Sequence, residues 1–294
     1  MTNFFRIAFL GLGNMGGPMS ANLVAAGHRV HGFDPMPEAA AAAAENGVVV
    51  FDSGAEAVAD AEVVFTMLPN GDIVKRCYAE VLPAAAPGAL FIDSSTISVN
   101  HAREVHALAE SRGNPQIDAP VSGGVAGAVA GTLAFMVGGD ASAVERARPV
   151  LEPLAGKIIH CGAAGAGQAA KLCNNMVLAV QQIAIGEAFV LAERLGLSAQ
   201  SLYDVITGAT GNCWAVHTNC PVPGPVPTSP ANHDFKPGFA AALMNKDLGL
   251  AMDAVASTGS AAPLGRHAAE IYAKFAAEHP DKDFSAVIEM LRRS

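Results

Sequence analysis

The chain has 294 residues, long enough for two domains that each bury a core. With 18 basic against 27 acidic residues it carries a net charge of −9, which argues against a phosphate-tracking nucleic-acid surface. A hydrophobic content of 51% with 15% charged residues implies a large buried fraction and predicts a homodimer or homotetramer. The start, MTNFFRIAFLGLG, has one basic residue and no charged region leading to a small-residue cleavage site. It does not read as a signal peptide, and a cytoplasmic location is expected. The five cysteines (Cys77, Cys161, Cys173, Cys213, Cys220) form no CxxC pair and are expected to be reduced, mostly core thiols. The nine histidines show no metal-ligand spacing, so no metal is expected.

Arg6–Leu10 is a short apolar strand running into Gly11-Leu12-Gly13-Asn14-Met15-Gly16. A helix over Pro18–Ala26 follows, then a strand Arg29–Phe33 that stops at Asp34. Strand, glycine turn, helix, strand and an acid about 20 residues past the glycines form a dinucleotide fingerprint. Gly11 permits the tight turn, Gly13 lets the backbone approach a pyrophosphate, and Gly16 lets the helix pack closely. The helix N-terminus offers free N–H groups to the anion. Asp34 would accept from the adenosine ribose hydroxyls and repel a 2′-phosphate. No arginine follows it, so NAD is expected rather than NADP.

The alternation continues through a helix Pro37–Glu45, a strand near Val48–Val50 and a helix Ala55–Ala59. Next come a strand Val63–Met67 closed by Leu68-Pro69, a helix from Gly71, and a strand Leu90–Asp93 ending in Ser94-Ser95-Thr96. Ser98 reads as the N-cap of a helix to Ser111. Gln116–Val121 is a further strand, leading into Ser122-Gly123-Gly124. Such units build a doubly wound, mostly parallel sheet with ligands at the carboxyl ends of its strands. Two glycines and a hydroxyl after a strand resemble a backbone nest for a carboxylate, or simply a glycine turn. Ala126–Ala130 with Thr132–Val137 suggests a hairpin-like return, followed by a helix Ala141–Leu154 and a strand Lys157–His160.

Gly165–Gly196 lacks proline and reads as one helix of roughly 30 residues, far above the usual length of about 11–12. Its apolar residues run nearly all the way round, which predicts burial on every side. Lys171, Asn174, Asn175, Gln181, Gln182 and Glu187 interrupt any membrane-length apolar run, so no membrane partner is expected. Lys171 and Asn175 stand at i and i+4, on one face. They are either satisfied core polars or the working groups of a site. Beyond the helix, Ser198–Thr207, Gly238–Thr258, Pro263–Ala277 and Phe284–Arg292 read as helices, with a proline-rich loop Pro221–Pro230 among them. The expected organisation is a Rossmann-type α/β domain over 1–163, an interdomain helix over 164–196, and an all-helical substrate and oligomerisation domain over 197–294.

Four blocks in order, FLGLGNMGGPMSANL, DAPVSGGVAGAVAGTLAFMVGG, GAGQAAKLCNN and LMNKDLGLA, resemble the β-hydroxyacid dehydrogenase family over almost the whole chain. Among its members the likeness is greatest to those acting on 3-hydroxyisobutyrate. The resemblance implies NAD-dependent oxidation of that acid, as in valine catabolism, with L-serine, 3-hydroxypropionate or glycerate as alternative substrates. A non-catalytic NAD-binding protein is the rival class, against which retention of Lys171 argues. The resemblance further implies that Lys171 is the catalytic lysine and that Asn175 orients substrate. Ser122, Gly123 and Gly124 would hold the substrate carboxylate. Gly11, Leu12, Gly13, Asn14, Met15, Gly16, Asp34, Leu68, Pro69 and Thr96 would bind NAD, with Lys246 near its nicotinamide end.

An alcohol oxidation needs a base for the hydroxyl proton while hydride leaves carbon. A lysine ordinarily titrates near about 10.4, and burial with a nearby positive charge would bring it into range for that role. The plainer reading of Lys171 is a structural ammonium, and Lys246 is the rival catalyst, although its neighbour Asp247 suggests a surface ion pair. Trp214 and Phe239 are candidates for the substrate's apolar wall, or ordinary core aromatics. His217 and His233 read as exposed loop residues. Two positions depart from the family pattern: Asn212 stands where arginine is common, and Cys220 where asparagine is.

Overall fold

The computed structural model describes residues 4–293, and the chain divides into two units between Lys171 and Leu172. The first is built on a sheet with nine strands among the described residues. They are β1 (Arg6–Leu10), β2 (Arg29–Phe33), β3 (Val49–Val50), β4 (Val63–Thr66), β5 (Leu90–Asp93), β6 (Gln116–Asp118), β7 (Val121–Ser122), β8 (Leu133–Gly138) and β9 (Ala155–Gly162). Their order is β3-β2-β1-β4-β5-β6-β8-β7, with β9 paired to β8. The ladder from β3 to β6 is parallel, as expected of strands joined through helices.

Alternation along each strand builds a core on both faces of the sheet. Ile7, Phe9, Val63, Phe65, Leu90 and Ile92 point to one side with Met19 and Leu23, and Phe9 stacks on Phe65 at 4.8 Å. Ala8, Leu10, Val64 and Phe91 point to the other, with Val74, Tyr78 and Val105. Each large side chain fully buried in this way contributes about 1.5–3 kcal/mol.

Two readings of the sequence are corrected in this unit. The strand expected over Gln116–Val121 is two strands, because Pro120 has no N–H for the ladder. The hairpin-like return is not a hairpin. A helix Gly124–Ala130, closed by Gly131 at φ 66°, separates β7 from β8, and β8 then runs antiparallel to both β6 and β7.

The long helix spans Ala166–Arg194, 29 residues. Its start is set by Asp118 at the end of β6, whose Oδ1 accepts from the Gly165 N–H at 2.7 Å and Oδ2 from the Gln168 N–H at 2.8 Å. A carboxylate at a helix start satisfies otherwise orphaned donors and meets the positive end of the dipole. The helix is not buried on every side as its composition suggested. Val177 and Leu191 are exposed, Leu191 at 58%. By length and composition alone it would pass as a membrane span, a test that the core helix of a soluble protein passes as well.

The second unit is helical: Ala199–Gly208, Trp214–His217, Ala241–Thr258, Pro263–Glu278 and Val287–Leu291. With the later turns of the long helix they enclose Phe189, Val216, Met244, Leu248, Tyr272, Phe275, Phe284 and Ile288. The expectation of mostly core thiols is also corrected, since Cys220 is buried, Cys77, Cys161 and Cys213 are partly so, and Cys173 is exposed.

Replacing Asp118 by alanine strands two buried donors at the helix start. Urea denaturation of Asp118→Ala is expected to show a loss of about 2–4 kcal/mol; a loss below about 1 kcal/mol would show that the helix start does not depend on it.

Candidate active site

The glycine turn after β1 hangs on the end of β2. The Gly11 N–H donates to the Phe33 carbonyl at 3.0 Å, and the Leu12 N–H donates to Asp34 Oδ2 at 2.7 Å. Gly16 begins the helix Gly16–Ala25, and a Cβ there would overlap the Gly11 carbonyl oxygen, so only glycine brings the helix this close. A Cβ at Gly13 would meet nothing within 4 Å, and Gly13 and Asn14 are exposed. No acid stands in the first turn, and the N-cap Met15 makes no side-chain cap bond. The helix N-terminus is therefore open to an anion, which fits a pyrophosphate. Asp34 Oδ1 also accepts from the Met36 N–H at 2.8 Å. A carboxylate has about four acceptor sites, so capacity remains for ribose hydroxyls. Sequence reasoning gave Asp34 the ribose and missed that it also holds the glycine turn.

Leu68 and Pro69 follow β4, and Thr96 follows β5. The Leu68 N–H donates to Ser95 Oγ at 2.8 Å. Below lies Asp93, fully buried, whose Oδ1 accepts from Thr66 Oγ1 at 2.8 Å and from the Ser95 N–H at 3.1 Å. Asp93 Oδ2 is buried with no hydrogen-bond partner among the described residues. Burial pushes this carboxyl up to about 6, against the opposing pull of the Ser95 and Thr66 donors. Thr96 itself is bracketed by Gln168, whose Nε2 donates to the Ser95 carbonyl at 2.7 Å while its Oε1 accepts from the Ile97 N–H at 3.2 Å. Asp93, Ser95 and Gln168 received no role from sequence reasoning. The available signal was the polar run Asp93-Ser94-Ser95-Thr96 closing an otherwise apolar strand.

Ser122 ends β7, and Gly123 and Gly124 follow at φ 133° and 61°, values that side chains rarely adopt. Their N–H groups head the helix Gly124–Ala130. Thus the glycine turn, Asp34, Leu68, Pro69, Thr96 and the Ser122-Gly123-Gly124 segment all stand at carboxyl ends of strands, where an open α/β sheet binds ligands. A surface cavity lined by Arg6, Glu62, Leu90 and Arg146 includes the opposite, amino ends of β1 and β5.

Lys171 lies early in the long helix and is 7% exposed; Asn175, one turn on, is 2% exposed. Asn175 Nδ2 donates to Asp247 Oδ2 at 2.6 Å, and its Oδ1 accepts from Asn174 Nδ2 at 3.0 Å. Asp247 is therefore not a surface residue, as its place beside Lys246 suggested, but a 4% exposed partner of Asn175. Lys246 is half-buried. Phe239 is partly buried, its ring edge-on to Phe284 at 5.6 Å. Trp214 is 49% exposed, which removes it from the core. His217 and His233 are exposed.

Comparison with known proteins covers both units. Residues 6–162 match the NAD binding domain of 6-phosphogluconate dehydrogenase, and residues 165–291 match the family described as NAD-binding of NADP-dependent 3-hydroxyisobutyrate dehydrogenase. The chain is 80% identical over 286 residues to a probable 3-hydroxyisobutyrate dehydrogenase of Mycobacterium tuberculosis, with 97% of each chain covered. It is 43% identical over 286 residues to the NAD-dependent L-serine dehydrogenase of Pseudomonas aeruginosa, with 96% of each covered. A solved structure of the Mycobacterium tuberculosis 3-hydroxyisobutyrate dehydrogenase with L-serine matches with a TM-score of 0.97 at 79% identity, covering 99% of this chain and 100% of that one.

The raised Asp93 carboxyl carries a pH signature. Its protonated form is favoured by folding, so its contribution is fully present below about pH 4 and is lost as pH rises through about 6. Denaturation of the parent protein and Asp93→Asn between about pH 4 and 8 is expected to show the difference moving against the parent by roughly 3 kcal/mol, then levelling. A pH-independent difference would remove Asp93 as a buried titrating acid.

Proposed function

Since the chain belongs to the 3-hydroxyisobutyrate dehydrogenase family of NAD-dependent oxidoreductases, we propose that it oxidises 3-hydroxyisobutyrate to methylmalonate semialdehyde, with Lys171 moving the hydroxyl proton. The observation that carries the assignment of roles is the buried pair on the long helix: an amine at Lys171 and, one turn on, an amide whose orientation Asp247 fixes.

NAD, when bound, supplies the acceptor for the hydride that leaves the alcohol carbon. The helix N-terminus at Gly16 and the open face at Gly13 hold its pyrophosphate, and Asp34 accepts from its adenosine ribose. This placement of a carboxylate disfavours a 2′-phosphate and supports NAD over NADP. Leu68, Pro69, Thr96 and Lys246 complete the cofactor contacts. The hydroxyl of Ser122 and the N–H groups of Gly123 and Gly124 grip the substrate carboxylate. Asn175 has given one amide hydrogen to Asp247, which leaves its second hydrogen and one Oδ1 lone pair for the substrate. Lys171 Nζ takes the hydroxyl proton during oxidation and returns it during reduction. Phe239 and Trp214 form the apolar wall. L-Serine is the second substrate, favoured by the Pseudomonas relative and by the L-serine in the Mycobacterium tuberculosis structure. We place the protein in the cytoplasm. We assign it a homodimer or homotetramer, since the exposed Val177 and Leu191 lie on the long helix and Leu195, Val205, Leu243 and Leu264 add to the apolar surface.

NADH absorbance with 3-hydroxyisobutyrate, L-serine, 3-hydroxypropionate and glycerate tests the activity. The expected order places 3-hydroxyisobutyrate first, with kcat/KM for L-serine lower by roughly ten- to a hundredfold. No NADH from any of the four would overturn the reading. Lys171→Ala is expected to lower kcat by about 10²–10⁴ with NAD binding kept, whereas near-normal turnover would return Lys171 to a structural role. Light scattering is expected to give two or four times the chain mass, and a monomer would refute the assembly.

A further inference from the structure

We infer that Gln168 is a positioning residue for the reaction, holding Thr96 in register with the helical turn that carries Lys171; this deepens the reading of Thr96 and Lys171 given above and rests on it. Gln168 is fully buried at the first turn of the long helix. Its amide makes both of its bonds to one stretch of backbone, donating to the Ser95 carbonyl at 2.7 Å and accepting from the Ile97 N–H at 3.2 Å. The two bonds straddle Thr96 as a neighbouring strand would, so the peptide groups on either side of Thr96 cannot rotate without breaking one of them.

Both ends of this connection are themselves anchored. The Gln168 N–H donates to Asp118 Oδ2 at 2.8 Å, which ties the helix start to β6. Ser95 takes the Leu68 N–H on its hydroxyl and gives its own N–H to Asp93, which ties the segment after β5 to the segment after β4. Gln168 precedes Lys171 by three residues, so the two side chains are neighbours on the helix surface. One amide therefore fixes the spacing between a cofactor contact and the proton-transfer group. Glutamine supplies what this needs, a donor and an acceptor on one planar group of the right reach.

The test is a double-substitution cycle on the full-length protein with Gln168→Met, which keeps the length and removes both bonds, and Thr96→Ala. Each single variant is expected to lower kcat about tenfold or more, because small misplacements of reacting groups are costly. The double variant is expected to be no worse than the poorer single one, since loss of Gln168 has already released Thr96. Effects that multiply, or a Gln168→Met enzyme within about twofold of the parent, would overturn the proposal. Gln168→Glu gives an independent reading if the methionine variant does not fold. Its ionised carboxylate opposes the Ser95 carbonyl, while its protonated form donates to it again, so the variant-to-parent kcat ratio is expected to rise as pH falls. A ratio constant with pH would count against the proposal. The same cycle read by NAD affinity needs no turnover, so an inactive parent protein, which would sink the activity reading, leaves this test intact.

Discussion

The buried carboxylate of Asp118 at the start of the long helix is the interaction on which the rest of the site depends. A helix leaves four N–H groups unmatched at its start, and burying them without partners is costly. Asp118 takes the N–H groups of Gly165 and Gln168, and its charge lies against the positive end of the helix dipole. Burial raises this carboxyl above the usual range, while the Gln168 and Gly165 donors act in the opposite direction. Two glycines make the approach possible, because a Cβ at Gly138 or Gly167 would collide with the Asp118 carboxylate. The end of β6, the helix start and Gly138 at the close of β8 are thus one construction, and Lys171 inherits its place from it.

The same device recurs with different degrees of saturation. Asp93 sits beside Asp118 in the floor of the sheet, and the like charge of Asp118 adds to the burial that raises it. Asp118 is matched by backbone donors on both oxygens, whereas Asp93 is matched on one. In the second unit, Asp283 is 1% exposed and accepts from Asn219 Nδ2, from the N–H groups of Gly238 and Phe239, and from the N–H and hydroxyl of Ser285. It holds the segment in which Phe239 stands, as Asp247 holds Asn175. Buried aspartates fix irregular backbone at three places, Asp93, Asp118 and Asp283, which is what a segment without its own ladder needs to present side chains reproducibly.

Local patterns made much of this legible. The strands Arg6–Leu10, Arg29–Phe33 and Leu90–Asp93 and the helix Pro37–Glu45 were readable to the residue, because apolar alternation, proline and glycine mark their limits. Gly11 to Gly16 and Asp34 declared a dinucleotide site through spacing alone. The antiparallel course of β8 was not legible, since it depends on which neighbour a strand finds rather than on its own residues. Nor were the roles of Gln168, Asp93 and Asp247, for a buried polar residue shows its purpose only through a partner 71, 27 or 72 positions away. The apolar belt of the long helix misled for a related reason. Composition records that Val177 and Leu191 are apolar but not that the fold of the chain leaves them exposed.

The two departures from the family pattern now separate by burial. Cys220 is buried in the core of the second unit with its thiol raised by burial, so its effect falls on packing. Asn212 is exposed and donates to the Thr207 carbonyl at 3.3 Å, and it is here that a cation is missing from the surface. A substrate that differs from another by a methyl for an ammonium is told apart by what faces that one group. An apolar wall of the kind proposed for Phe239 and Trp214 would favour the methyl through contact, yet an aromatic face also attracts a cation. Such a wall would separate the two by only about 1–3 kcal/mol. The proposed order, 3-hydroxyisobutyrate ahead of L-serine, rests on that balance rather than on a pocket built to exclude either.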